Sequence, residues 1–330
     1  MSASSHPRHR LAPYPVQVAF PDISRWRRGT DGVEYLHRFD SGEPGPHVMI
    51  SALVHGNEVS GALVLDTLLS AGLRPRRGQL SLVFVNVQAY AAFDPDDADA
   101  TRFLDEDLNR VWLDPRLDGA EHSRELARAR ELRPWVRQAD LLLDIHSMHE
   151  ASAPLMMCGP TAKGRALAAR LGTPATVIVD AGHANGRRLR DYGDFADEAS
   201  PRNALLVETG QHFAAHSQAV AMDTVLRFLL MAGSVDEQDV AQWAQLPLPA
   251  AQRFLEVTQA VVARTEDFRF VEDFKGLETI ETAGTVIAYD GGEPVTTPHD
   301  HCVLIQPSLR QLAPGVTVVR LAREIAPGSL

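Results

Sequence analysis

Val48-Met49-Ile50-Ser51-Ala52-Leu53-Val54-His55-Gly56-Asn57-Glu58 is an apolar run that ends in an imidazole and a carboxylate three positions apart. Short, apolar and bounded by turn residues, the run reads as a buried strand. Residues 59–71 then read as a helix that stops at Gly72, a common helix terminator. Strand, ligand-bearing turn and helix in succession open an α/β fold. A second apolar segment, Leu141-Leu142-Leu143-Asp144-Ile145-His146, again runs into a histidine. His55, Glu58 and His146 thus form a His-x-x-Glu…His set. Two histidines and one carboxylate around zinc leave a fourth position for water, the arrangement of catalytic rather than structural zinc. One Zn2+ per chain and a hydrolytic activity are expected.

The alternation continues along the chain. Apolar runs at 47–54, 80–87, 140–145, 175–179 and 203–207 read as strands, and segments at 59–71, 120–137, 161–171 and 212–231 as helices. Such alternation predicts a mixed, mostly parallel sheet flanked by helices. Segment 90–118 lacks a clean period and reads as a long loop, and loops of that length are often functional. Near Leu246-Pro247-Leu248-Pro249 the pattern changes. Beyond it come short strand-like runs at Phe268-Arg269-Phe270-Val271, Thr285-Val286-Ile287-Ala288-Tyr289, Cys302-Val303-Leu304-Ile305 and Val316-Thr317-Val318-Val319-Arg320-Leu321. The chain of 330 residues exceeds what one core usually serves. The expected organisation is a peripheral segment 1–25, a zinc hydrolase domain 26–245 and a smaller β-rich C-terminal domain 246–330.

Hydrophobic residues at 45% and charged residues at 23% fit an ordinary soluble globular chain rather than a disordered or membrane one. No apolar run reaches the roughly 18 residues of a membrane-spanning helix. The N-terminus, Met1-Ser2-Ala3-Ser4-Ser5-His6-Pro7-Arg8-His9-Arg10, lacks the apolar region of a secretory signal, so the expected location is cytoplasmic. A formal charge of −11 argues against nucleic acid and anionic membranes as partners. An anionic substrate would need arginines gathered locally. Two cysteines, Cys158 and Cys302, are too few for a disulfide framework and read as small buried hydrophobes.

In open α/β sheets, ligands gather outside the carboxyl ends of strands, where His55, Glu58, His146 and Glu208 all fall. Asp144, two residues before His146 on the same strand face, is a candidate outer partner that orients the imidazole. Glu208 in Val207-Glu208-Thr209-Gly210 closes an apolar run, where a carboxylate is costly without a purpose or a partner. It could serve as a base toward water and then as an acid toward a leaving nitrogen, or simply pair with an arginine. In the loop Thr101-Arg102-Phe103-Leu104-Asp105-Glu106-Asp107-Leu108-Asn109-Arg110, the arginines could pair with their acidic neighbours. A guanidinium beside an amide equally suits a substrate carboxylate, and a second guanidinium suits an oxyanion.

His55-Gly56-Asn57-Glu58, Asp107-Leu108-Asn109-Arg110, Asp144-Ile145-His146 and Val207-Glu208-Thr209-Gly210 occur in the order found in the succinylglutamate desuccinylase/aspartoacylase family, which the chain resembles. That family is a branch of the zinc carboxypeptidase-like α/β fold. The resemblance implies a zinc-dependent amidohydrolase that removes an acyl group from the nitrogen of an amino acid or related amine. It implies His55, Glu58 and His146 as zinc ligands, Glu208 as general base and acid, and Arg102 as the group that polarises the scissile carbonyl. Asn109 and Arg110 match the pair that holds the substrate carboxylate, and the C-terminal region resembles the family's β-domain. A small N-acylated amino acid or amine is the implied partner, with homo-oligomerisation left open.

The chain also departs from the family. Glu208 is followed by Thr209-Gly210-Gln211-His212 where aspartoacylase has Val-Gly-Pro, and Ser147-Met148-His149 replaces an Asn-Thr-Thr run. Within Gly186-Arg187-Arg188-Leu189-Arg190-Asp191-Tyr192, Arg190 is the candidate for a further carboxylate contact. His6, His9, His149, His183, His212, His216, His299 and His301 read as surface or loop groups rather than ligands. The rival functions are a zinc carboxypeptidase acting on peptides or cell-wall fragments, and a non-catalytic metal-binding protein on the same scaffold.

Overall fold

The computed structural model describes residues 14–183 and 185–325; His6, His9 and the rest of residues 1–13 lie outside them. The strands are β1 (Leu36–Asp40), β2 (His47–Ala52), β3 (Gln79–Phe84), β4 (Leu141–Met148), β5 (Leu155–Met157), β6 (Thr176–Val179), β7 (Asn203–Gln211), β8 (Arg253–Val262), β9 (Phe268–Phe270), β10 (Thr279–Ile280), β11 (Val286–Asp290), β12 (Glu293–Thr296), β13 (Cys302–Ile305) and β14 (Thr317–Ile325). An 11-stranded mixed sheet runs β1-β3-β2-β4-β7-β5-β6-β8-β14-β13-β10, and β12-β11-β9 form a second sheet. Its centre, β3-β2-β4-β7, is parallel.

Burial explains why these central strands read as continuous apolar runs: both faces are covered. Val48, Ile50, Leu143, Ile145, Leu205 and Val207 pack on one side with the helices Val59–Ser70 and Ala215–Met231. Met49, Leu142 and Ala204, one residue out of phase, pack on the other with Leu126, Ala129 and Leu132 of the helix Arg124–Val136. This two-residue period delivers side chains alternately to the two cores.

Helices and central strands match the expectation in type and order. β4 and β7 run further than hydropathy suggests, because their polar ends remain paired in the sheet, His146 opposite Glu208. Two short strands were not expected: β1, of mixed polarity, is an antiparallel edge on β3, and the apolar β5, only three residues long, is antiparallel to β7. The C-terminal strands continue the same sheet, since β8 pairs in parallel with β6 and β14, β13 and β10 follow it. The far end packs back on the centre through Met148, Leu155, Leu206, Leu255, Val303 and Ile305. No helix among the described residues is long and apolar enough to cross a membrane.

Candidate active site

After Ala52 the chain leaves β2 through Leu53, buried and at φ +61°, a left-handed conformation rare for a branched residue. Asn86 and Val85 fix the turn by donating to the Leu53 and Ala52 carbonyls at 2.7 and 2.8 Å. His55 and Glu58 then stand at the carboxyl end of β2, with the helix Val59–Ser70 immediately behind. Gly56 is required by crowding, because a Cβ there would lie 2.4 Å from the Ala89 carbonyl carbon and 2.5 Å from the Thr101 oxygen. Its N–H donates to the Arg102 carbonyl at 2.9 Å and so ties the arginine loop to the His-x-x-Glu turn.

Among the described residues, His55, Glu58 and His146 are the one group of three whose ligating atoms come close enough to hold a metal ion, all within 4.8 Å of one another. His55 Nδ1 lies 2.8 Å from Glu58 Oε1, and His146 Nδ1 2.8 Å from Glu58 Oε2. The far nitrogens have acceptors of their own: His146 Nε2 meets Asp144 at 2.9 Å, and His55 Nε2 meets Asp107 at 2.9 Å. Asp144 therefore sits where strand alternation places it, and Asp107 is the matching partner that the sequence did not disclose. A carboxylate behind a ring keeps the proton on Nε2 and leaves Nδ1 as the coordinating atom. Both Nδ1 atoms face Glu58 oxygens, so a cation that takes the place of a proton between them meets imidazole lone pairs and a carboxylate at one point. Burial works to raise the Glu58 carboxyl, yet the two imidazoles hold it well below its ordinary range. For His146, burial disfavours charge, yet Asp144 and Glu58 keep it well above the usual imidazole value. Two imidazole nitrogens and a carboxylate oxygen suit zinc.

Glu208 lies on β7 directly opposite His146 on β4. It is buried, and its Oε2 has no hydrogen-bond partner among the described residues. Burial first, then the charge of Glu58, raise its carboxyl to about 7. The neighbouring departures from the family pattern are structural complements. Thr209 donates to the His146 carbonyl at 3.0 Å and touches Ser60 at 3.0 Å, joining both ligand-bearing segments. Ser147 Oγ meets His212 Nδ1 at 2.8 Å, and His212 Nε2 lies 3.3 Å from His149 Nδ1. His149 and His212 lie in the turns that follow β4 and β7, as loop groups, but His212 is buried and His149 half-buried beside the site rather than at the surface. Local polarity gave no hint that each would complete the other.

Arg102 Nη1 donates to Glu58 Oε1 at 3.0 Å, and Arg102 Nη2 lies 2.9 Å from His55 Nε2, so its guanidinium borders the triad. Asn109 is buried; its Oδ1 accepts from Leu189 N at 2.8 Å and its Nδ2 approaches His146 Nε2 at 3.5 Å. Arg110, on the same turn, lies 3.5 Å from Asp107. Arg190 does not join them. It is held in the scaffold by Asp191 and by the Cys158 and Ala204 carbonyls at 3.1 and 3.0 Å. Arg188 is the better candidate from that segment: it shares Asp180 with Arg320 of β14, and its Nη1 is buried without a partner among the described residues. The loop itself hangs on Glu125, which accepts from the N–H groups of Leu104, Asp105 and Glu106 at 2.8, 3.1 and 3.3 Å. Removing this acceptor orphans several donors, each worth about 1–3 kcal/mol when buried. Glu125→Ala is therefore expected to lose roughly 3 kcal/mol in denaturant unfolding, and to lose turnover with it. A variant as stable as wild type would show that the loop is held elsewhere.

The geometry has counterparts in known proteins. The fold is that of succinylglutamate desuccinylase from Vibrio cholerae, at TM-score 0.64 and 19% identity, covering 88% of this chain and 86% of the other. An ectoine utilization protein from Ruegeria pomeroyi matches at TM-score 0.60 and 17% identity, covering 90% of this chain and 92% of the other. Over 110 residues the chain is 34% identical to succinylglutamate desuccinylase from Burkholderia pseudomallei, a match that spans 32% of this chain and 28% of that relative. The family model of the succinylglutamate desuccinylase/aspartoacylase catalytic domain matches residues 44–232, which include the triad, Arg102, Asn109, Arg110 and Glu208. With more than half of its length matched, the chain belongs to the succinylglutamate desuccinylase/aspartoacylase family.

Proposed function

We propose that this chain is a zinc-dependent deacylase that hydrolyses the amide of a small N-acylated amino acid or related amine, and that it works in the cytoplasm. The observation that carries this reading is the placement of Glu208, a buried carboxylate with one oxygen unpartnered among the described residues, opposite His146 beside the triad. His55 and His146 through Nδ1, and Glu58 through its carboxylate, would hold the metal. When bound, zinc supplies Lewis acidity, which makes water a better nucleophile near neutral pH and polarises a carbonyl.

Glu208 takes a proton from the attacking water, whose oxygen bonds to the acyl carbon. The Arg102 guanidinium donates to the carbonyl oxygen as negative charge develops there. The same Glu208 then returns its proton to the nitrogen as the C–N bond breaks, releasing a carboxylic acid and an amine. Arg110 offers a cation to the substrate carboxylate, and Asn109 steadies the turn that carries it. The Arg188 and Arg320 guanidiniums share one carboxylate, Asp180, which favours a substrate bearing negative charge.

A panel of N-acetyl, N-succinyl and N-formyl amino acids and diamines, assayed on the zinc-loaded protein beside C-terminal peptides, tests this reading. Release of free amine from at least one N-acyl amino acid is expected. Turnover confined to peptides would replace it with a carboxypeptidase, and a zinc-loaded protein inert to the whole panel would favour a non-catalytic metal-binding role.

A further inference from the structure

Three arginines gather on one side of the triad. Arg110 and Arg188 are brought together where Val111 bridges to Arg187 and Trp112 N donates to the Arg187 carbonyl at 3.3 Å. Arg320 joins them through Asp180, which it shares with Arg188. Val111, Trp112 and Leu189 share a core with Leu142 and Ala204, on the sheet face that His146 and Glu208 follow by strand alternation.

A different wall closes the other side. It starts at the triad, where Ser147 N donates to Glu58 Oε2 at 3.3 Å. The Ser147 side chain alternates away from His146, and its Oγ meets His212 Nδ1 at 2.8 Å. The contacts then run outward: His212 Nε2 lies 3.3 Å from His149 Nδ1, which lies 3.3 Å from Asp99 Oδ1. Asp99 stands three residues before Arg102 on the same loop. Behind His212, Phe213 packs on Phe93 and Phe20, and Phe20 stacks on Tyr90 of the core beneath the helix Val59–Ser70, the opposite face of the sheet.

The charge of this wall is the reverse of the arginine side. Arg310, its side chain 8% exposed, lies 2.9 Å from Glu150 and 3.6 Å from Asp99, one cation against two carboxylates. A proton that charges His149 is matched by Asp99 beside it, and both ring nitrogens of His212 are engaged, so neither imidazole adds a free cation. Arg102 is turned to Glu58 and His55, and the exposed Lys275 pairs with Asp273. The loop adds exposed Asp94, Asp96 and Asp97, so that four of the six residues 94–99 are aspartates. The two substituents of an amide carbonyl leave it in different directions. With the carboxylate of the amine half on Arg110, the acyl substituent runs toward the acidic wall. A carboxylate at its far end would there meet like charge without a free cation, and unpaired charge is a strong basis for discrimination.

The geometry points to an acyl subsite, walled by Ser147, His212, His149 and Asp99, that takes an uncharged acyl group and rejects one ending in a carboxylate. This rests on the deacylase reading and on Arg110 as the holder of the amine half.

The test compares the N-succinyl and N-succinamoyl derivatives of the amino acid turned over best in the N-acyl panel, on the full zinc-loaded chain. The two acyl groups have the same length and differ only in a terminal carboxylate against a terminal amide. kcat/KM should favour the succinamoyl compound about ten-fold or more, the scale of like charges a few ångströms apart in a partly buried site. Raising the ionic strength should narrow that ratio. Asp99→Asn and Glu150→Gln, each removing one negative charge, should each narrow it about three-fold or more. The ratio is internal to each protein, so a general loss of activity in a variant cancels. A succinyl compound turned over as well as its amide, or a ratio unmoved in both variants, overturns the subsite and leaves the deacylase reading standing. A protein inert on every N-acyl amino acid sinks that reading, and the subsite with it.

Discussion

Glu208→Gln is expected to lower kcat by roughly a thousand-fold while leaving the zinc content of the protein unchanged. The substitution keeps volume and planarity but removes the proton acceptor on which both halves of the proposed reaction depend. Zinc content is the control, because Glu208 contributes no atom to the His55, Glu58 and His146 group. The pH profile adds a signature. Burial and the Glu58 charge bring the Glu208 carboxyl to about 7. A base must be ionised to act, so kcat/KM should fall as pH drops through its pKa, about tenfold per pH unit. A bound divalent cation favours the ionised form, so that limb lies at or below pH 7 in the zinc-loaded protein. The limb should vanish in Glu208→Gln. Activity within a few-fold of wild type in that variant would remove Glu208 from the mechanism.

His146→Ala should reduce bound zinc to less than about a tenth of wild type under conditions that saturate the native protein, and activity should fall in proportion. The loss is more than one ligand. Asp144 is fully buried, held by Ser51 at 2.6 Å and His146 at 2.9 Å, and without the imidazole it faces Glu58 across a metal site that no longer closes. Breaking a buried ion pair by removing one member costs about 3–5 kcal/mol, so the metal-free variant should also melt well below the metal-free native chain. Metal analysis and calorimetry read the two effects separately. Full zinc occupancy in His146→Ala would take this residue out of the ligand set.

The sequence exposed what periodicity and strand-end chemistry can carry. The parallel centre was legible because β2, β4 and β7 are buried on both faces and therefore apolar along their length. The triad was legible because its members stand at the ends of such runs, and Asp144 followed from the two-residue alternation of a strand. Asp107 escaped because it acts across a loop whose path is set by Glu125 and Gly56, contacts with no local pattern. Arg188 and Arg190 could not be told apart, since two residues of offset in an irregular segment decide which guanidinium is spent on carbonyl groups and which remains open.

The single sheet linking residues 36 to 325 imposes an order on biosynthesis. As the chain elongates, the three candidate ligands are present by residue 146 and the candidate base by residue 208, whereas β8 begins only at Arg253. β6 meanwhile waits for β8 to cover its free edge. If the triad takes up a metal, capture can therefore precede completion of the sheet, so the proposed ligands are assembled before the strands that close the fold exist.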